Sequence, residues 1–230
     1  MKKNIILSVV CGMVAMASLT SCNDFLQVSA TNQKEMEKSL TTYDALRLAT
    51  AYLYMKPWFG FHSTRLFAMG DARGNNIYGD NNNETGYAPY SLFSDKPNTP
   101  GLADAWNSLY IVVTQADYII NDYAPQGRQH FSEAQANACE GEARFMRAAA
   151  YYYLASYWHD VPIMENPIAH TEAFNMAPTR FEDVIRYGIR DLEYAAEWLP
   201  LADADGRVTR YSALGRLARY YVTLAASARG

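Results

Sequence analysis

The richest short run of chemistry-bearing residues in this chain is Gly70-Asp71-Ala72-Arg73-Gly74-Asn75-Asn76-Ile77-Tyr78. Its carboxylate and amides can hold pairs of hydroxyl groups, and Arg73 offers a planar fork of donors. Tyr78, or Tyr87 a little further on, can stack on the apolar face of a pyranose ring while keeping a polar tip. Asp71, Arg73, Asn75, Tyr78 and Tyr87 are therefore the candidate ligand-binding residues. A plainer account is also open. Asn and Gly gather in turns because they tolerate left-handed backbone, and Asp71 can simply pair with Arg73.

Signatures of catalysis are missing from the rest of the chain. It has no H-E-x-x-H, no G-x-S-x-G and no glycine-rich loop between a strand pattern and a helix. The four histidines, at 62, 130, 159 and 170, lie in separate segments without metal-ligand spacing. Glu140 and Glu142 sit two apart on a helical pattern and face different ways, a poor general acid/base pair. The expectation is a non-enzyme with no metal and no cofactor. A net charge of −4, with no basic run after Lys3, argues against a nucleic-acid partner.

Lys2 and Lys3 followed by the mostly apolar run Ile5 to Ala17 have the pattern of a secretory leader, too short to span a bilayer stably. The leader runs into Leu19-Thr20-Ser21-Cys22, which reads as a bacterial lipobox with Cys22 as the lipidated first residue of the mature chain. That leaves Cys139 alone, with no partner for a disulfide or a zinc site. The expected organisation is a lipoprotein signal over 1–21, a lipidated tether over 22–38 and a helical domain over 39–230.

Several elements can position the candidate residues. Glu140 to Pro162 has no glycine after Gly141 and no proline until Pro162, and it is apolar nearly all round, as a central helix must be. Leu40 to Lys56 precedes it with Leu46, Ala49, Leu53 and Tyr54 on one side. Leu102 to Tyr123 follows the same rule until Pro125 and Gly127 break it. Ser132 with Gln135, and Thr179 with Glu182, both read as capping boxes. The last two helices are Phe181 to Leu199 and Arg210 to Ala228. The latter sets Ala213, Leu214, Leu217, Ala218, Tyr221, Leu224 and Ala225 inward, with no following partner, which suggests part of a longer protein. The fold class is all-α, antiparallel helical hairpins with tetratricopeptide-like packing, plus a long irregular loop excursion over Pro57 to Gly101. Its aromatics argue for an ordered surface excursion, in which Trp58 and Tyr90 are equally able to face a protein partner. Trp106 and Trp158, at helical spacing, belong to the core.

Taken in order, several segments resemble the SusD/RagB family of outer-membrane lipoproteins from Bacteroidetes. They are Ser21-Cys22-Asn23-Asp24-Phe25-Leu26, WNSLYIVVTQADYIIN from Trp106, GEARFMRAAAYYYLASYWHDVPI from Gly141, DLEYAAEWLP from Asp191 and the run Arg207 to Ser227. Asp117 stands where the family pattern has asparagine. The resemblance covers the N-terminal part of a longer family chain. It implies a lipid-anchored, surface-exposed outer-membrane protein that captures glycan, or peptide in some relatives, for a SusC-like TonB-dependent transporter, without catalysis. Two other classes remain open: a helical-repeat scaffold for protein contact, with the 57–95 loops as docking surface, and a truncated remnant without function. The lipobox reading predicts that Cys22→Ser abolishes palmitate labelling and moves the protein out of the membrane fraction. Labelling that persists in the variant would remove the lipobox.

Overall fold

A computed structural model describes residues 40–55, 58–63, 65–77, 87–166 and 176–227. The leader and Cys22 lie outside these residues, as does Tyr78. Secondary structure is helical throughout, and the one strand-type contact among the described residues is an isolated antiparallel bridge between Val161 and Thr179.

Helix α1 (Tyr43–Ala51) opens on Thr42, whose side chain accepts from the Ala45 amide, and tightens into a 3-10 turn at Tyr52–Tyr54. Two short pieces follow, α2 (Phe59–His62) and a π-turn at Phe67–Ala72, and then α3 (Ala88–Ser91). Helix α4 (Leu102–Tyr118) widens into a π-turn at Ile119–Tyr123, which hands the chain to α5 (Ala124–Gly127). Pro125 therefore does not end the helical path as its type suggests. The wider turn absorbs a residue that cannot donate to the ladder. The long helix α6 runs Glu133–Trp158, starting a turn and more before Glu140, and Ser132 and Gln135 form the expected capping box. Helices α7 (Phe181–Trp198) and α8 (Arg210–Ser227) complete the order.

The second expected capping box does not form. Thr179 is held in the bridge to Val161, and α7 starts after Arg180, which gives no side-chain cap. The orphan Phe181 amide instead donates to Asp160 Oδ1 at 2.9 Å, so a carboxylate distant in sequence supplies the cap.

Side-chain pairs set the helix register. Trp106 meets Trp158, Tyr110 meets Tyr151 and Asp117 meets Arg147, so α4 and α6 are antiparallel. Tyr151 against Tyr187 and Arg147 against Asp191 do the same for α6 and α7. Arg210 donates to the Glu197 carbonyl, and Gly188 faces Tyr220, so α7 and α8 are antiparallel too. The antiparallel hairpins read from periodicity are thus present. Gly188 is required at its contact, since a Cβ there would lie 2.4 Å from the Tyr220 ring.

Tyr220 also corrects the predicted face of α8. Its ring is fully buried and its hydroxyl donates to the Ala148 carbonyl, whereas Leu214, Ala218, Tyr221 and Ala225 are exposed. The helix is rotated because the gap left by Gly188 takes one ring, and Tyr220 fills it. Leu217 and Leu224 pack at its margins.

The excursion is a surface feature only in part. Trp58, Phe61, Met69 and Tyr90 are core residues, and the Trp58 indole donates to the Leu53 carbonyl at 2.7 Å. Neither Trp58 nor Tyr90 is free to face a protein partner.

Two charged clusters sit on different sides of α6. Glu142 is paired with Arg47 and, at 2.7 Å, with Arg207, and it accepts from Tyr54 at 3.0 Å. Arg47 also pairs with Asp203 at 2.6 Å, which ties α1 and the α7–α8 turn to the central helix. On another side, Arg147 takes Asp191 through two nitrogens, at 2.7 and 2.8 Å, and Asp117 through one at 2.5 Å. Arg144 joins Asp191 at 3.0 Å and Glu140, one helical turn before it, at 2.7 Å, so these groups form one network with Arg147.

Asp117 is fully buried, and its Oδ2 has no hydrogen-bond partner among the described residues. Burial pushes its carboxyl up to about 7, against the pull of Arg147. The direction follows from the geometry. One guanidinium already satisfied by Asp191 leaves the second carboxylate undercompensated. A carboxyl raised in this way binds its proton more tightly folded than unfolded. Its contribution therefore lowers stability as pH climbs from the ordinary 3.8 to about 7. Unfolding free energies of Asp117→Asn from urea titrations between pH 4.5 and 7.5 are expected to lose a downward slope of up to ~1.4 kcal/mol per pH unit. An unchanged slope would mean that Asp117 stays ionised throughout.

Candidate functional site

A cleft of about 960 Å³ opens where the π-turn at Phe67–Ala72, the segment at Asp95–Pro97, the start of α4 and the end of α6 converge. Its aromatic wall follows from the antiparallel register of α4 and α6. That register brings Trp106 and Trp158 edge to face, with ring centroids 5.3 Å apart, and Tyr157 continues the wall at 6.2 Å from Trp158. Both tryptophans are only partly buried, so they are not the interior residues their helical spacing implies. Tyr110 braces the pair, its ring 4.8 Å from Trp106 and its hydroxyl donating to the Pro162 carbonyl at 2.7 Å.

Polar groups line the same cleft. Arg73 is paired with Asp95 at 2.7 Å, and its guanidinium lies 5.3 Å over the Phe93 ring. Lys96 and Asn107 add a point charge and an amide, both exposed. Backbone shape depends on glycine at two places. Gly101 has φ +90° with the Arg65 guanidinium lying on its Cα, so any side chain there would collide with it. Gly70 lies under the Tyr157 hydroxyl, which a Cβ would approach to 3.2 Å. Burial raises the Tyr157 phenol above its ordinary value, with the neighbouring Tyr153 and Asp71 adding to the rise.

The five residues singled out from the sequence are not all brought together. Arg73 lines the cleft. Asp71 closes the turn, its carbonyl accepting from the Asn76 amide at 2.8 Å and from the Ile77 amide at 3.3 Å. Asn75 holds φ 62° and donates its amide to the Ala72 carbonyl, the turn use of asparagine. Tyr87 is half-buried against the core, and its carbonyl accepts from Tyr90 and Ser91 at the start of α3. Tyr78 lies outside the described residues. Trp106, Tyr157, Trp158, Asp95 and Lys96, which sequence reasoning did not select, line the cleft with Arg73. The available signal was Trp106 and Trp158 near opposite ends of two adjacent helical patterns, which an antiparallel pairing must juxtapose.

A smaller hollow of about 470 Å³ borders Arg144, Arg147, Arg190, Glu165 and Asp191. Arg144, Arg147 and Asp191 already answer one another there. Among the described residues no cluster of three or more His, Cys, Asp or Glu could hold a metal ion, and no helix is long and apolar enough to cross a membrane.

Comparison with known proteins adds an independent line. Residues 24–222 match a SusD-like family model described as starch-binding associating with outer membrane. The chain is 32% identical over 203 residues to a SusD-like protein of Bacteroides ovatus, covering 88% of this chain and 36% of that protein. A SusD-like protein of Formosa agariphila, P25, is 27% identical over 116 residues, 49% of this chain and 21% of the other. A crystal structure described with a xylogluco-oligosaccharide is 34% identical, with a TM-score of 0.67 over 77% of this chain and 34% of that one. A laminarin-binding SusD-like protein at 20% identity shares the fold, with a TM-score of 0.66 over 77% of this chain and 39% of the other. The chain thus covers between 21% and 39% of the length of these relatives.

The Arg73–Asp95 pair at the rim is 43% and 22% exposed, where a salt bridge contributes little to folding. Asp95→Asn is therefore expected to change the urea unfolding free energy by less than ~1 kcal/mol. A larger loss would make the pair a structural clamp.

Proposed function

The chain belongs to the SusD-like family, and from that premise we propose that it binds glycan in the 960 Å³ cleft, at the outer surface of a bacterial cell, without transforming it. The observation that carries this reading is the pairing of an open aromatic wall, Trp106, Trp158 and Tyr157, with a polar rim of Arg73, Asp95, Lys96 and Asn107. Sugar rings have apolar faces and polar edges. A stacking surface together with a set of donors and acceptors suits them better than either alone. Asp71, Asn75 and Tyr87 belong to segments next to the cleft-lining residues, and we propose that they touch the ligand as it enters; Tyr78 stays a candidate on its chemistry alone. Anchoring through lipid on Cys22 would keep the cleft at the membrane, and a SusC-like TonB-dependent transporter would receive the cargo.

One observation favours a protein-contact role alongside this. Helix α8 exposes Tyr211, Leu214 and Val222, at 65%, 47% and 70%, and carries Arg210, Arg216 and Arg219 with no acidic residue. Such a face fits a protein surface better than a sugar.

Isothermal titration with a xylogluco-oligosaccharide and with laminarin tests the glycan reading. The expected result is binding of one of them, weakened at least tenfold, ~1.4 kcal/mol, by Trp106→Ala and by Arg73→Ala at unchanged melting temperature for the latter. Binding that both variants retain would move the site elsewhere. Absence of binding to either glycan would leave the scaffold role on α8.

A further inference from the structure

Tyr90 differs from every other residue of the cleft. It is 1% exposed, its hydroxyl is sealed from solvent, and that hydroxyl has no hydrogen-bond partner among the described residues. Yet Tyr90 lines the cleft. Buried hydroxyls nearly always find a partner, because an unmade bond leaves the full desolvation cost of the group standing. Tyr90 sits in α3, where its amide donates to the Tyr87 carbonyl at 3.0 Å and the Ser91 amide to the same oxygen at 3.1 Å. The charged groups that act on the phenol are Arg65, Asp95 and Arg73. Asp95 is engaged by Arg73, and Arg65 lies against Gly101. The one carboxylate among these charges is thus already held by Arg73, and an oxygen able to accept fits beside the unpaired phenol O–H.

We propose that Tyr90 is a specificity-determining residue of the cleft, whose O–H donates to an oxygen of a sugar ring when a glycan chain occupies it. The proposal rests on the reading of the cleft as a glycan site. Because the hydroxyl is sealed, a ligand reaches it by parting the side chains above it, and the bond exists only in the complex. A site with a buried donor of this kind discriminates strongly against any ligand that brings no acceptor to that point, since the donor then stays unpaired. Stacking on Trp106 and Trp158 tolerates many sugars, whereas this one oxygen selects among them.

Tyr90→Phe removes a single oxygen and leaves the ring. In the full chain its melting temperature is expected to be unchanged or raised, because no protein partner is lost. Its affinity for whichever of xylogluco-oligosaccharide and laminarin the parent protein binds is expected to fall about tenfold, ~1.4 kcal/mol. Unchanged affinity overturns the proposal, and so does a melting temperature that falls together with affinity, since the hydroxyl would then serve the fold. Arg73→Ala separates the two levels of inference. If it weakens binding while Tyr90→Phe does not, the role of Tyr90 fails and the glycan site stands. If the parent protein binds neither glycan, both fail together.

Discussion

Arg147 is a guanidinium 4% exposed in the middle of the longest helix, and a charge in that position has to be answered from outside its own helix. Asp191 on α7 answers it through two nitrogens, and Asp117 on α4 through a third. Removing a buried charge from water costs several kcal/mol, repaid only by near-ideal geometry, so the two carboxylates can occupy very few positions. The requirement sets the axial registers of α4 and α7 against α6 at once. Apolar side chains alone would tolerate slippage by a turn, whereas this fork does not. The arrangement is also overfilled with negative charge on the Asp117 side. The stability of the bundle is linked to pH there.

The cleft inherits its geometry from that constraint. With α4 and α6 locked at Asp117 and Arg147, the same antiparallel register carries Tyr110 to Tyr151 and then Trp106 to Trp158. The tryptophan pair is therefore held by two long helices rather than by a loop, which is how a binding surface keeps its spacing. Glu142, on another side of α6, does for α1 and the α7–α8 turn what Arg147 does for α4 and α7, through Arg47 and Arg207. Between α1 and α4, Trp58, Phe61 and Tyr90 are anchored in the core, and Arg73 and Lys96 are exposed at the rim.

Much of this was legible before any coordinates. Periodicity in Leu102–Tyr118 and Phe181–Trp198, the Ser132–Gln135 box and the breaker at Pro162 locate helices because they depend on neighbours three or four residues away. Misreadings occurred where a distant residue intervened. Asp160 caps α7 in place of Thr179. Tyr220 rather than Leu214 and Tyr221 turns inward, because Gly188 on the facing helix leaves room for one ring. Pro125 does not stop its segment, since a π-turn upstream takes up the missing donor.

The sequence by itself determined the fold class, the boundaries of the long helices to within about two turns and the family, but not the short helical pieces at Phe59–His62, Phe67–Ala72 and Ala88–Ser91; what it determined rests on local spacing and on the order of segments along the chain. Which side chains face the cleft was decided by tertiary structure alone. Asp71, Asn75 and Tyr87 have the chemistry for a sugar, but their backbone groups close the turn and cap α3. Trp106 and Trp158 look like core residues until the ends of α4 and α6 meet at an open edge. Tyr90 is the extreme case, since a tyrosine on a short turn gives no sign that its hydroxyl will be buried beside a cleft without a partner. The reason is common to all of them. Helix periodicity says which residues share a face, whereas solvent exposure and hydrogen-bond partners depend on what the opposing elements bring, and those elements lie tens of residues away.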